Sequence, residues 1–487
     1  INRSINPQSK SQTARWCKDT ALPWLLNIQA KALNSSRVFR ELCYIENQKE
    51  ALCQHLFTLL QKRDPKAMST VFYDLSSTMF YGSKCVLMKW GHCKEGYENH
   101  IVLAIVVNKE GLPFYWEVLP GGTADSTTIV WLMDRLQKRF KSACTTVVFD
   151  RGMVSDDNLA LIETAKIKYI SAMDKNQVEK ITGIDFSQFS KIDTNQIASC
   201  GEHLSGFTKL NKATYYRDIK VHYKRRYILC FNPELFVEQR KALEKHIVDF
   251  NAFITTLNTE YSEAKGTRRS EVMLKKCNAQ LAAKKLSTFI QVTIQRLNVI
   301  RTNDAAETHT VSTCFAQTAI NEQEKLKAGR LDGFWLLVTN HSEKEHEQFI
   351  MTAPDAINPY REKVVIESAF RDIKSFVEIA PVYVWTAEHV KAHFTICVLA
   401  YLINRTITLK LHKNTGEKTK DIVAHERFYQ ALSDCKIDQI QIKNKNMSFY
   451  QMTQQNEAQT ELLERTALEN LLGCKFLKRL NEISIAH

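Results

Sequence analysis

The residues whose types and spacing could do chemistry are three acids and a run of cations. The densest stretch is NPYREKVVIESAFRDIK, residues 358–374. Its opening predicts a helix start, with Asn358 capping the free N–H groups and Pro359 placed where a missing N–H costs nothing. At roughly 100° per residue, Tyr360, Lys363, Glu367 and Lys374 share a stripe about 60° wide. Val365, Ile366, Ala369, Ile373 and Phe376 fall on the other side and read as the buried face. A carboxylate flanked by cations and a tyrosine suits a metal site acting on phosphate, although an ordinary solvated helix face has the same pattern. Two further acids bear on the choice. Asp74 lies within the strand-like run VFYDLSSTMF, where a cap or turn role is the alternative, and Asp150 ends the apolar run TTVVFD. Three carboxylates gathered at one sheet edge would repel each other, so the cluster makes sense mainly around hard divalent cations.

Positioning those side chains requires a sheet. From Val71, the runs VFYDLSSTMF, KCVLMKW, HIVLAIVV and FYWEVLPG are β-branched or aromatic and broken by turn residues, which predicts a meander of antiparallel strands. GGTADSTTIVWLMDRLQKRF reads as a turn and an amphipathic helix capped by Asp125 or Ser126. TTVVFD (145–150) reads as a buried strand, RGMVSDDNLALIETA as a loop and helix, and KYISAM as another strand. The fold class is therefore α/β, a mixed sheet with helices on its faces.

After Lys175 the pattern is interrupted. KATYYRDIKVHYKRRYILCFN predicts a basic hairpin, in which Tyr215, Tyr216, Tyr223 and Tyr227 serve either strand packing or base stacking. FVEQRKALEKHIVDFNAFITTL and VMLKKCNAQLAAKKLSTFIQVTIQRL predict two long helices separated by EAKGTRRS. LDGFWLLVTN (331–340) returns to a buried strand, and HVKAHFTICVLAYLINRTI is a strongly apolar helix. The resulting division is a helical region over 1–66, either a DNA-binding module or a packed cap, and a first part of the α/β core over 67–176. An insertion follows over 177–328, then the second part of the core over 329–410. The C-terminal region, 411–487, ends on an amphipathic helix in LLERTALENLLGCKFLKRL and is a candidate for dimerisation or DNA contact.

Composition narrows the partner. With 487 residues, 44% hydrophobic and 24% charged, and only 15 Gly and 9 Pro, the chain is globular and long enough for several cores. A net charge of +13 and a pI of about 9.0 favour a polyanion, either nucleic acid or an anionic membrane. The longest apolar run, ICVLAYLI (396–403), is too short to span a bilayer, and INRSINPQSK is no signal peptide, so no membrane partner is expected. The chain opens on Ile rather than Met, which fits a start lying upstream. Thirteen cysteines without a CxxC pair suit a reducing cytosol, and Cys43, Cys53, His55, His92 and Cys93 match no structural zinc spacing.

The order of these segments resembles the DDE transposases of bacterial insertion sequences, in particular the group with a YREK signature. That signature runs Tyr, two residues, Arg, three residues, Glu, six residues, Lys; Tyr360, Lys363, Glu367 and Lys374 meet it, with Lys in place of Arg. YDLSSTMF, LPGGTADSTTI, VVFDRGMVSDDNL, LDGFWLLVTN and PVYVWTAEHVKAHFTICVLAYLI resemble the family's other blocks, so the likeness runs over residues 70 to 405. It implies an RNase H-like core interrupted by a large insertion between the second and third acids. It also implies that Asp74, Asp150 and Glu367 hold two Mg²⁺ or Mn²⁺ ions, and that Tyr360, Lys363 and Lys374, with Arg371 beside them, contact DNA. The implied activity is cleavage at the inverted repeats of the element's own ends and joining of the 3′-OH to target DNA. A homodimer would act in a synaptic complex in the bacterial cytoplasm, on the nucleoid. The alternatives are a catalytically inactive DNA-binding descendant and a stand-alone RNase H-like nuclease.

Overall fold

The computed structural model describes residues 1–26, 28–29, 32, 34–82, 84–93, 96–140, 145–190, 204–264, 266–302, 308–413, 424–442 and 447–468. The chain divides into two compact units, Ile1–Ser171 with Ile357–His487, and Ala172–Ala356.

The first unit begins with helices α1 (Asn2–Ile5), α2 (Lys10–Lys18), α3 (Leu22–Leu25) and α4 (Ser35–Arg63). Ser9 and Gln12 close a capping box on α2, and the Asn34 side chain accepts from Arg37 N to start α4. Along α4 the buried residues Leu42, Lys49, Cys53, Leu56 and Leu60 recur at helical spacing, which defines its inner face.

The sheet follows: β1 (Thr70–Met79), β2 (Lys89–Cys93), β3 (Gly96–Asn108), β4 (Pro113–Pro120), α5 (Asp125–Phe140), β5 (Thr146–Val148), α6 (Asp156–Thr164) and β6 (Lys168–Ala172). It is mixed, as expected. β3 pairs antiparallel with β1 along one edge and with β2 and then β4 along the other, whereas β1, β5 and β6 run parallel. Because both faces are covered, β5 and the first residues of β1 read as unbroken apolar runs. The run KCVLMKW is strand only from Lys89; Met88 N donates to Cys85 O, closing a turn before it.

In the second unit are α7 (Lys175–Thr182), α8 (Ser187–Ser190), β7 (Thr208–Asn211), β8 (Thr214–His222), β9 (Arg225–Phe231), α9 (Pro233–Ser262) and α10 (Ser270–Ala283). They are followed by β10 (Ile290–Thr302), β11 (Thr308–Ile320), α11 (Glu322–Ala328), β12 (Phe334–Thr339), β13 (Lys344–Glu345) and β14 (Gln348–Phe349). The basic hairpin is β8–β9, antiparallel to its neighbours in the order β12, β9, β8, β7. Its tyrosines divide: Tyr227 is buried in β9, while Tyr223 at the turn is 84% exposed. The second long helix is shorter than expected. It ends at Ala283, and Ile290, Val292 and Ile294 then alternate with Gln291, Thr293 and Gln295 as a strand. Their period of two outweighs the helical reading once β11 supplies a full antiparallel partner. Ile254, Leu257, Met273, Cys277, Phe289 and Ala316 lie in the core that joins α9 and α10 to this hairpin.

The chain then returns to the first unit with α12 (Ala353–Glu362), α13 (Val364–Ser375), α14 (Ala387–Lys413), α15 (Ala424–Ala431), β15 (Ile437–Ile442), β16 (Met447–Met452) and α16 (Glu457–Arg465). Helix α14 packs on α4 and β4, with Trp116 Nε1 donating to Thr395 Oγ1 at 2.9 Å. Its stretch Ala387–His412 is long and apolar enough to cross a membrane, unlike the shorter run read from sequence, but half of its most apolar stretch is buried inside the protein. The expected last helix begins within α16 but stops at Arg465, where Thr466 is the C-cap; its residues from 469 on lie outside the described residues.

The β3–β4 turn ties this unit together. Asn108 Oδ1 accepts from the backbone N–H groups of Glu110 and Leu112, which shapes the turn around Gly111. Gly111 has φ +80, and a methyl group there would come within 2.8 Å of Val365 on α13 and 3.2 Å of the Tyr401 hydroxyl on α14. Tyr401 donates to the Gly111 carbonyl at 2.8 Å and Arg405 to that of Glu110 at 2.7 Å. Only glycine combines that backbone conformation with so close an approach.

Candidate active site

Parallel pairing of β1 with β5 aligns Thr70 with Thr146, Val71 with Val147 and Phe72 with Val148. Asp74 and Asp150 each lie two residues beyond the last of these pairs. Asp74 is half-buried, as are Ser77 and Met79, in a mostly buried strand, and lies opposite Ile105 of β3. Asp150 follows β5 and accepts from Arg151 N at 2.8 Å, capping a short 3-10 turn, Arg151–Met153.

Glu367 stands in the first turn of α13, where the helix dipole favours a negative charge. Ile366, Ala369, Phe370 and Ile373 bury the opposite side of this helix, which packs on β1 and β3. The helix boundaries differ from those expected. Asn358 and Pro359 do not begin a helix; Pro359 lies inside α12, which starts at Ala353. Thr352 Oγ1 accepts from Asp355 N, and Asp355 Oδ2 accepts from Thr352 N, so this reciprocal cap upstream sets the start. The break falls instead at Lys363, the residue between α12 and α13.

That break places Lys363 between two of the acids. Its Nζ lies 3.1 Å from Asp150 Oδ1 and 3.8 Å from Glu367 Oε1. The lysine side chain is 12% exposed, against 44% for Asp150 and 49% for Glu367. Tyr360 is half-buried beside them. Burial, and then the negative charges of Asp150 and Glu367, push its phenol above the usual tyrosine range, with Arg151 opposing, so it is a neutral O–H donor. Arg371 is exposed and Lys374 half-buried on α13, one and two turns beyond Glu367 on the same side.

Two acids in this region went unrecognised in the sequence as more than local features. Asp125, read as a cap, is the first residue of α5, and its Oδ2 would lie 3.4 Å from a methyl group placed on Gly152. Asp125 and Asp74 both push the Tyr73 phenol upward, after burial, so Asp125 belongs to the same neighbourhood. The only signal for it was its place in LPGGTADSTTI. Asp372 is 5% exposed on the back of α13, with His425 Nε2 of α15 at 3.3 Å. No periodicity argument finds it, because its position predicts an apolar residue.

The donor chemistry suits a hard divalent cation: all three predicted ligands are carboxylates, and two of them already face one cationic group. The three are not, however, gathered at ligand distance; among the described residues no group of three His, Cys, Asp or Glu is so placed.

Residues 72–229 match the family model described as a transposase DDE domain, a stretch that includes Asp74 and Asp150 and stops short of Glu367. No curated protein matches the chain. Among solved structures, it is similar to a piggyBac transposase synaptic complex with hairpin DNA, at 9% identity and a TM-score of 0.30, over 75% of this chain and 52% of that one. It is also similar to the Mos1 mariner paired-end complex with Mn, at 16% identity and a TM-score of 0.15, over 33% of this chain and 54% of that one. The chain thus spans about half the length of these two proteins.

Proposed function

We propose that this protein is a DDE transposase of the bacterial insertion-sequence group with the YREK signature, built on an RNase H-like core. The observation that carries the reading is Lys363 facing both Asp150 and Glu367, with Asp74 on the strand that pairs with β5, in a chain whose residues 72–229 match a transposase DDE domain. Asp74, Asp150 and Glu367 would hold Mg²⁺ or Mn²⁺, two ions per active site. Such ions polarise a phosphate, lower the pKa of an attacking water or 3′-hydroxyl, and stabilise the leaving oxygen. The chain's own residues supply the rest. The neutral Tyr360 hydroxyl donates to a phosphate oxygen, and Lys363, Arg371 and Lys374 line the same stripe as phosphate contacts. The net charge of +13 supports a DNA partner, here the element's terminal repeats and its target, engaged by a homodimer in the cytoplasm.

The test uses a plasmid carrying the DNA that flanks the coding region, with Mg²⁺ or Mn²⁺, and scores both strand cleavage and joined products. The parent is expected to cut and join. Asp74→Asn, Asp150→Asn and Glu367→Gln should each lose both activities while still binding the DNA. Cleavage without joining would make the protein a nuclease, and near-normal activity of one variant would remove that acid from the site.

A further inference from the structure

We infer that Lys363 holds the place of a divalent cation between Asp150 and Glu367, and that it leaves this position for a DNA phosphate only when such a cation is bound. The inference rests on the metal site proposed above. The Lys363 ammonium bridges the two carboxylates at 3.1 and 3.8 Å. Without a positive charge there, two carboxylates held so near each other would repel. The burial pattern is uneven: the lysine is 12% exposed, whereas both acids are nearly half exposed. A cation arriving from solvent therefore meets the carboxylates directly, with the ammonium behind them.

The two occupants exclude each other. Mg²⁺ takes oxygen ligands at about 2.0–2.1 Å, shorter than either contact Lys363 makes, so the acids must close around the ion. The ammonium would then be left against a like charge of twice its size, with its anionic partners taken. Lysine suits this exchange better than the arginine of the signature. It is a compact charge on a flexible four-carbon stem, whereas a guanidinium fork grips a carboxylate at two points. Lys363 lies between α12 and α13 with a helical backbone, so the exchange needs a turn of the side chain alone. Arg371 and Lys374 on the same side of α13 mark where the phosphate would lie. Metal loading and DNA grip are thereby coupled through one side chain, and in the DNA-free, metal-free site that side chain offsets part of the carboxylate charge.

The experiment measures Mn²⁺ binding to the full chain without DNA, by electron paramagnetic resonance, for the parent, Lys363→Met, Lys363→Gln and Asp150→Asn. Removing the competing ammonium should tighten Mn²⁺ binding by roughly ten-fold, which corresponds to about 1.4 kcal/mol. Lys363→Met and Lys363→Gln should agree, and Asp150→Asn should weaken binding. In parallel, acetylation of Lys363 in the parent, followed by mass spectrometry, should rise several-fold on adding Mn²⁺ while that of Lys284, paired with Asp249 in the other unit, stays constant. Equal or weaker Mn²⁺ binding in both Lys363 variants, with the parent binding normally, would overturn the inference and leave Lys363 a phosphate contact alone. If neither the parent nor any variant binds Mn²⁺, the metal site itself is wrong and the inference falls with it.

Discussion

Helix α13 carries an acid on each face, and the two are built differently. On the front, Glu367 is 49% exposed and shares Lys363 with Asp150. On the back, Asp372 is 5% exposed, and its partner His425 is 3% exposed and packed edge-on against Phe376. A half-exposed pair is worth about 0–1 kcal/mol to the fold, and its partners can be exchanged for solvent ions or ligands. A buried pair whose partner is removed costs roughly 3–5 kcal/mol, because an uncompensated polar group stays inside. The same helix therefore separates a face that can afford to change partners from a face that cannot, and the predictions turn on that separation.

The sharpest test crosses the two faces. Glu367→Gln should lower DNA cleavage by roughly 10²–10³-fold or more, the scale lost with one transition-state stabilising group, while the melting temperature stays close to that of the parent. Asp372→Ala should do the reverse. Chemical denaturation should show a loss of about 3–5 kcal/mol, with Mn²⁺ binding retained at temperatures where the variant is folded. If Asp372→Ala leaves stability unchanged, the back pair is not an anchor.

The next effect is smaller and concerns what holds α13 against the sheet. Gly111→Ala must place a methyl group 2.8 Å from Val365 at φ +80. Backbone strain of about 1–3 kcal/mol is expected, with overpacking adding to it. Denaturant melts of this variant should show the loss, and its Mn²⁺ affinity should fall as α13 shifts; unchanged affinity would mean that the turn does not position the front face.

A still milder change is expected at Tyr360. Tyr360→Phe removes one O–H donor, worth about 0.5–1.5 kcal/mol, so cleavage should fall by only a few-fold. Because burial and two carboxylates push this phenol above the usual range, no ionisation of Tyr360 should appear in an ultraviolet pH titration through pH 10.

A separate test contrasts Lys363 with Lys10, a second buried lysine. Lys10 donates to His393 Nδ1 and has Arg3 nearby; burial first, and then that like charge, lower its pKa to about 7. The folded state then holds fewer protons than the unfolded chain between about pH 7 and the ordinary lysine value of 10.5, so stability should rise with pH across that window. Lys10→Met should flatten this rise in melts recorded from pH 7 to 10, and an unaltered slope would assign it to another group.

Much of the fold was legible along the chain. The β-branched and aromatic runs of β1, β3 and β4, the strand just before Asp150 and the apolar α14 are local patterns of side-chain type. Local rules failed where two of them competed. Asn358-Pro359 satisfied a helix-start rule, but Thr352 and Asp355 offered a reciprocal cap nearly two turns earlier, and the break moved to Lys363. Ile290 to Thr302 was drawn into a helix because the preceding residues are helix formers, and its strand state depends on β11 as a partner.

For the site, the identities of Asp74, Asp150, Glu367, Tyr360 and Lys363 were available from sequence, since carboxylates, cations and a tyrosine at that spacing restrict the chemistry they can do. That Lys363 faces Asp150 and Glu367 was not. The pairing of β1 with β5 is a property of strand register, and the contact of Lys363 with Asp150 joins residues distant in the chain. Asp125 and Asp372 gained meaning only from their surroundings, one beside Gly152 and the other buried against His425. Residue types and their local periods specify which groups are present and which faces turn inward. Which charges share a neighbourhood, and how much water reaches them, is settled by packing between segments that the linear order leaves apart.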